Sequence, residues 1–391
     1  MCTVAVICEY NPFHRGHLAQ LQAIRAICGQ DTAIVCLMSG SYVQRGAPAV
    51  FDKYCRAAAA ADCGADVVLE LPPQVALRSA EGYAAGAVEI LNRMGGVDLL
   101  CFGSETGRLA PLQAAAELLL SPAFPQALKA RLAEGISFAA ARAAAVADLG
   151  GDRSVLDRPN DILAVEYCKA LLQTGSRIRP LVLQRPGDYH EAAADPESPS
   201  ATAVRALLES GSAAWQACIP PAAAARFATA PLHCLQYGER AMLAILRTLP
   251  DAAFEGLPGG SEGLWRRVLT ACRTQTGLED IVEAAKSKRY ARTRLQRMLL
   301  CACLGLGEAE LQRAPDWIRL LALSERGRRV LHSRAAAFRL VSGGPGPAGE
   351  LAQLEQRSDD LYALFAQEPE PPQAASARAV YFTGRQKTGP A

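Results

Sequence analysis

The feature that most constrains the fold is an alternation repeated across the first hundred or so residues: a short apolar run, a polar loop, then a helical stretch. Thr3–Cys8 is a β-branched apolar run suited to a strand buried on both faces. A loop rich in Asn, Pro and Gly follows at 9–16, and residues 17–28 then set Leu18, Leu21, Ile24 and Ile27 on one helical face. Strands recur at 32–38, 66–71 and 98–102, with helices at 52–63 and 79–94 between them. This order predicts an α/β fold built on a Rossmann-like, doubly wound parallel sheet. Ligands of such sheets lie beyond the carboxyl ends of the strands, so the loops at 9–17, 39–48 and 103–105 are expected to share one edge.

Residues 110–148 read as helical. Pro159-Asn160-Asp161 opens another helix, with Pro and Asn suited to its first turn. A strand at 180–184 and a polar loop at 185–199 follow, and Ser200 N-caps a further helix. Ala and Pro dominate 212–235, which suggests a boundary. The expected domains are a doubly wound unit over 1–215, a mainly α-helical unit over 230–366 and a disordered tail over 367–391. A net charge of +2 excludes a global basic field, so nucleic acid needs a local patch, and DNA is not expected as a partner. The 13 cysteines include no CxxC pair, and several, such as Cys8, Cys36 and Cys101, sit in apolar runs, which suits free thiols in a reducing compartment. No run reaches the ~18 apolar residues of a membrane span. The strand starts at once, without a signal peptide's charged region and cleavage site. No membrane contact and a cytoplasmic location are therefore expected.

Four segments carry candidate chemistry. In Glu9-Tyr10-Asn11-Pro12-Phe13-His14-Arg15-Gly16-His17, a strand end, a Gly and a helix start bring backbone N–H groups and a positive dipole to one point, an anion site. Two of the chain's five histidines fall there, three residues apart, so that imidazole donors can reach the same phosphates and stabilise charge built up in displacement at phosphorus. After the second strand, Gln44, Lys53 and Arg56 are donors that could meet an anionic substrate. Ser200 and Arg205 mark a helix start able to bind terminal phosphates. Finally, residues 286–297 pack Lys286, Lys288, Arg289, Arg292, Arg294 and Arg297 around Tyr290, with no acid between Glu283 and Glu308. Cations without helical partners can neutralise RNA phosphates, and a Tyr can stack on a base.

These blocks, in this order, resemble the tRNA(Met) cytidine acetate ligases, a branch of the nucleotidylyltransferase superfamily with the His-x-Gly-His signature. The likeness runs through EYNPFHRGHL at 9–18, VQRGAP with the DK and R of 43–56, GADVVLELP at 64–72, FGSE at 102–105, PNDILAVEY at 159–167, SATAVR at 200–205 and KSKRYARTRLQR at 286–297. The resemblance implies a Rossmann-like catalytic domain and a helical tRNA-binding domain. It implies that acetate attacks the α-phosphate of ATP, giving acetyl-adenylate and pyrophosphate. The acetyl group then passes to the wobble cytidine of elongator tRNA(Met), and AMP leaves. By motif position, the ATP site falls on Ile7, Cys8, Glu9, Tyr10, Asn11, Pro12, Phe13, His14, Arg15, Gly16, His17, Leu18, Ala19, Gln20, Gly103, Asn160, Arg185 and Pro186. Two departures stand out. The Arg185–His190 loop is about one residue short of the family pattern, and Ser41-Tyr42 replaces a more usual Asn-Phe.

On this reading His14 and His17 hold the phosphates in the transition state, and Gly16 admits the ligand. Gly103 and Asn160 face the adenosine, and Arg205 pairs with the leaving group. Mg²⁺ accompanies ATP without a carboxylate cage, bound through phosphates and water. The competing readings are an adenylyltransferase acting on a small cofactor precursor and a non-catalytic RNA- or nucleotide-binding protein.

Overall fold

The computed structural model describes residues 1–185, 195–196, 199–287, 290–372 and 378–383. Its strands are β1 (Thr3–Cys8), β2 (Ala33–Ser39), β3 (Tyr42–Val43), β4 (Ala47–Pro48), β5 (Val67–Leu71), β6 (Leu99–Ser104), β7 (Arg179–Gln184), β8 (Ile318–Leu323), β9 (Leu340–Ser342) and β10 (Tyr381–Phe382). The central sheet runs β10-β8-β5-β2-β1-β6-β7, with β9 also on β8, and β3 and β4 form a separate antiparallel ribbon. From β5 to β7 all pairings are parallel, with Val4 opposite Ile34 and Leu99, and Val35 opposite Val67. The chain goes from β1 to β2 on one side and returns to β6 on the other. The order therefore reverses at β1, and the crevice beyond its carboxyl end is where a doubly wound sheet takes a ligand.

Alternate residues of each strand feed two cores. Ala5, Val35, Leu37, Val67 and Leu69 pack with the helices Ala80–Met94, Leu109–Leu120 and Pro159–Gln173. Val4, Val6, Ile34, Cys36 and Val68 pack with α1 (Arg15–Cys28) and α2 (Lys53–Asp62). Burial on both faces explains why these strands read as unbroken apolar runs. Ala57, Ala59 and Ala60 are fully buried, and their small side chains let α2 lie close on the sheet.

A third core belongs to the C-terminal helices, with Leu264, Val268, Leu299, Leu304 and Phe365 at its centre. It also takes in Tyr42, Val43 and Ala49 from the loop after β2. Three outcomes differ from the sequence reading. Residues 318–323, inside the region expected to be mainly helical, form β8 and join the main sheet antiparallel to β5, with Val68 opposite Ala322. The Ala- and Pro-rich stretch near 212–235, where a boundary is expected, packs in part on the sheet domain: Phe227 stacks on Phe51 at 4.5 Å. Within the tail expected to be disordered, Tyr381 and Phe382 pair with β8, and the Tyr381 hydroxyl donates to Asp62 at 2.6 Å. No helix among the described residues is long and apolar enough to cross a membrane.

Candidate active site

At the end of β1 the backbone turns sharply, with Tyr10 at φ 44° and a cis Asn11–Pro12 peptide bond, and enters α1 with His14 as its N-cap. The cap is reciprocal. The Gly16 N–H donates to His14 Nδ1 at 3.1 Å, and the His14 N–H donates to His17 Nδ1 at 3.2 Å. Because both Nδ1 atoms accept, each neutral ring carries its proton on Nε2, and that N–H remains a donor. The rings stack with centroids 3.7 Å apart. Tyr10 and Phe13 are buried beneath them, Tyr10 lying 4.8 Å from both Phe13 and His17. Burial, then the Arg185 and Arg205 charges, pushes His14 down to about 3. Burial, followed by His14 and Arg185, drives His17 well below its usual value. The turn thus offers two neutral imidazole donors beside the N-terminus of a helix. A Cβ on Gly16 would come within 3.0 Å of His14 Cε1, so the glycine also makes room for this ring.

Only part of the run 7–20 is open. Arg15, Gly16 and Ala19 are exposed and Ile7, Glu9, His17, Leu18 and Gln20 half-buried, whereas Cys8, Asn11 and Pro12 are buried with Tyr10 and Phe13 as the floor. Asn11 Oδ1 accepts the Val50 N–H at 2.7 Å, which fastens the turn to the loop before α2.

Beyond β6 and β7 the structure brings Gly103, Asn160 and Arg185 together. Arg185 donates to Asn160 Oδ1 at 2.9 Å, and Asn160 Nδ2 donates to Glu105 at 2.7 Å. A Cβ on Gly103 would meet the Arg185 side chain at 2.7 Å, so this glycine makes a track for the arginine. Glu105 was not singled out from sequence, although it closes the FGSE block. It caps the helix Pro159–Gln173 by accepting from the Asn160 and Asp161 N–H groups at 3.2 and 2.7 Å. Pro186, with the rest of the shortened loop to His190, lies outside the described residues.

The donors expected to meet an anionic substrate divide. Arg205 does reach the turn, donating to the Asn11 carbonyl at 2.7 Å, and Ser200 caps its helix by accepting from the Ala203 N–H. Gln44 lies beside it, its backbone N–H on Glu9 Oε1 at 2.8 Å. Lys53 and Arg56 do not face a ligand. Lys53 is fully buried, its Nζ 3.0 Å from Glu70, 3.4 Å from Glu355 and 3.1 Å from Asp359. Arg56 is fully buried too, donating to the carbonyls of Glu9, Ser39, Gly40 and Phe51. Both hold the loop after β2 in shape. The partners of Lys53 come from far along the chain, since Glu355 and Asp359 lie on the helix Glu350–Ala363, 302 and 306 residues away. Ser41 and Tyr42 serve the same joint, with hydroxyls on Asp359 at 2.9 Å and on the Ser358 carbonyl at 3.0 Å.

The basic run also changes meaning. Arg292 pairs with Glu279 and Glu283, Lys286 with Glu283 at 3.3 Å, and Arg294 donates to the Gly259 carbonyl at 2.8 Å. The acids sit on the preceding helix, Leu278–Ala285, so Arg292 is partnered across two helices, whereas Lys286, the C-cap of that preceding helix, pairs with Glu283 three residues back. Tyr290 is buried, its hydroxyl on Glu262 at 3.3 Å and Arg294 over its ring, so it is no free platform for a base. Lys288 and Arg289 lie outside the described residues.

The family model described as HIGH Nucleotidyl Transferase matches residues 1–376. The tRNA(Met) cytidine acetate ligase of Alkaliphilus metalliredigens is 35% identical over 93% of this chain and 94% of its own length. The enzyme of the same name from Syntrophomonas wolfei is 34% identical over 94% and 96%. The chain belongs to the tRNA(Met) cytidine acetate ligase family. Among solved structures, Thermotoga maritima TmcAL in its apo form superposes with a TM-score of 0.88 at 28% identity, covering 98% of this chain and all of that one. The same protein bound with alpha-thio ATP superposes at 0.85 and 29% identity over the same shares. The overall architecture is thus shared with Thermotoga maritima TmcAL over 98% of this chain.

Proposed function

We propose that this chain is an ATP-dependent ligase that activates acetate as acetyl-adenylate and transfers the acetyl group to N4 of the wobble cytidine of elongator tRNA(Met), giving N4-acetylcytidine. The observation that carries this reading is the two-histidine cap, whose geometry leaves both Nε2–H groups free to donate beside a helix N-terminus. An acetate oxygen attacks the α-phosphorus, and the bond to the β-phosphate oxygen breaks. Charge then grows on the phosphate oxygens, where fixed neutral donors lower the barrier without reorganising. The negative charge of a bound triphosphate opposes the depressing influence of Arg185 and Arg205 and so raises the imidazole pKa values. Arg205, anchored on the Asn11 carbonyl, is placed to accompany the departing pyrophosphate. The Gly103–Glu105–Asn160–Arg185 network forms the adenosine side of the crevice.

In the second half-reaction the cytidine amine attacks the acetyl carbonyl, AMP leaves and the amine proton passes to solvent. Mixed anhydrides are reactive enough that no general base is assigned. Among the described residues no group of three or more His, Cys, Asp or Glu is arranged to hold a metal ion. Mg²⁺ accompanying ATP fits such a site through phosphate oxygens and water, and its chemistry there is charge neutralisation. For tRNA, Lys286, Arg292 and Arg294 are the candidate phosphate contacts. The exposed ion pairs of Lys286 and Arg292 are each worth only about 0–1 kcal/mol and can exchange for phosphates.

The test is incubation with ATP, labelled acetate and total tRNA, followed by nucleoside analysis. Labelled N4-acetylcytidine is expected. ATP–pyrophosphate exchange that ignores acetate would point instead to an adenylyltransferase acting on a small cofactor precursor.

A further inference from the structure

Gln44 sits where three parts of the molecule meet. Its N–H donates to Glu9 Oε1 at 2.8 Å, and its side-chain Nε2 donates to the Arg78 carbonyl at 3.2 Å. Its own carbonyl accepts from Arg297 Nη1 at 3.3 Å. Glu9 directly follows β1 and precedes the two-histidine turn, and its carbonyl is held by Arg56. Arg297 belongs to the first half of the helix Arg292–Leu304 in the C-terminal core. Unlike Lys286 and Arg292 in the same basic run, it pairs with no carboxylate among the described residues, and burial holds its guanidinium below the usual value.

The loop also touches this helix through its backbone. Gly46 has φ +79°, and a Cβ there would lie 2.5 Å from Arg297 N and 2.7 Å from Gln296 C. Only a glycine lets the loop rest on the helix at that point. The loop from Gly40 to Gly46 is thus clamped between the carboxylate at the end of β1 and one turn of a helix from the other end of the chain. A cation that contacts RNA must turn its donors to solvent, whereas the hydrogen bond of Arg297 runs inward to a carbonyl.

We propose that Arg297 is a positioning residue for the adenylation step. It acts through the Gln44 backbone on Glu9 and so on the strand-to-helix turn, and it does not contact tRNA. The proposal rests on the ligase reading above.

The test uses the full chain and two assays: acetate-dependent ATP–pyrophosphate exchange without tRNA, and tRNA acetylation. Arg297→Ala is expected to lower the exchange kcat roughly ten-fold or more, since small misplacements of a catalytic loop are costly. Its KM for tRNA should stay within about two-fold of wild type, because no RNA contact is lost. Arg297→Lys, which keeps a donor for the same carbonyl, is expected to recover most of the exchange. Gly46→Ala changes no charge but breaks the same joint, and is expected to reproduce the loss. If Arg297→Ala proves unstable, Arg297→Lys and Gly46→Ala carry the test. Wild-type exchange in Arg297→Ala together with a raised KM for tRNA would overturn the proposal, as would wild-type exchange in Gly46→Ala. Wild-type protein without any acetate-dependent exchange would instead overturn the ligase reading itself, and this proposal with it.

Discussion

The turn at His14–His17 and the charge cluster around Lys53 lie on the same edge of the same sheet, and both look from sequence like sites for an anion. They are built in opposite ways. At the turn, the polar groups of the rings are used once, on the local backbone, and each imidazole keeps a donor. In the cluster, Lys53 and Arg319 face Glu70, Glu355 and Asp359, and Arg319 lies against Glu355 with Nη2 2.6 Å from Oε2. There the charges satisfy one another. Position on the ligand edge is therefore insufficient to make a charged residue a ligand contact. What decides is whether another element covers it and brings counter-charges. Three carboxylates against two cations leave an excess of one, and a proton relieves it. Burial, opposed by Lys53 and reinforced by Glu355 and Asp359, raises Glu70 to about 7. Burial raises Asp359 as well, whereas Lys53 and Arg319 outweigh burial at Glu355 and bring it below its usual value.

The contrast can be broken most forcefully at Lys53. Lys53→Met should destabilise the protein by roughly 3–5 kcal/mol, because three buried carboxylates lose their shared cation. Chemical denaturation measures this, and unchanged stability with a raised KM for ATP would turn the cluster back into a ligand site. His17→Ala should leave the melting temperature close to wild type and reduce acetate-dependent exchange on the order of 10²–10³-fold, the scale for losing a transition-state donor. A loss below about five-fold, by the same scale, would deny the turn its role.

Glu70→Gln sharpens the comparison through pH. A carboxyl raised in the folded state binds its proton more tightly there than in the unfolded chain. Its contribution is complete below the unfolded value near 4.5 and is lost as pH rises towards about 7. Wild-type stability should therefore carry a component that falls across that window, and Glu70→Gln should flatten it, as melting curves from pH 4.5 to 8 would show. His14, already neutral above about 3, should contribute no inflection near pH 6.5 to exchange by the free enzyme. The smallest effect belongs to Arg292→Ala. Its exposed pairs with Glu279 and Glu283 should cost less than about 1 kcal/mol of stability. Any loss should appear as a raised KM for tRNA.

The two-histidine turn was legible as a structure because everything that shapes it is local. His14 and His17 cap each other within one helical turn, and β1 ends just before them. The network of Gly103, Asn160 and Arg185 was legible only as positions, since Glu105, which ties it to the helix Pro159–Gln173, gave no signal beyond its place in a block. The partners of the basic run were only partly legible: Glu283 lies three residues before Lys286, but Arg292 is met by Glu279 and Glu283 from the neighbouring helix.

The sequence by itself determined where the first four parallel strands lie along the chain and the helix start that carries two imidazoles. Apolar periodicity and capping act over a few residues, and no distant segment can change them. The tertiary structure alone decided that β8 would complete the sheet and that Arg319, a charge within that strand, would be neutralised by Glu355. It also decided that Lys53 would find Asp359, 306 residues away, instead of a ligand. Such pairings depend on which surfaces the folded chain presses together, and burial makes the fate of a charge depend on the partner that arrives with it.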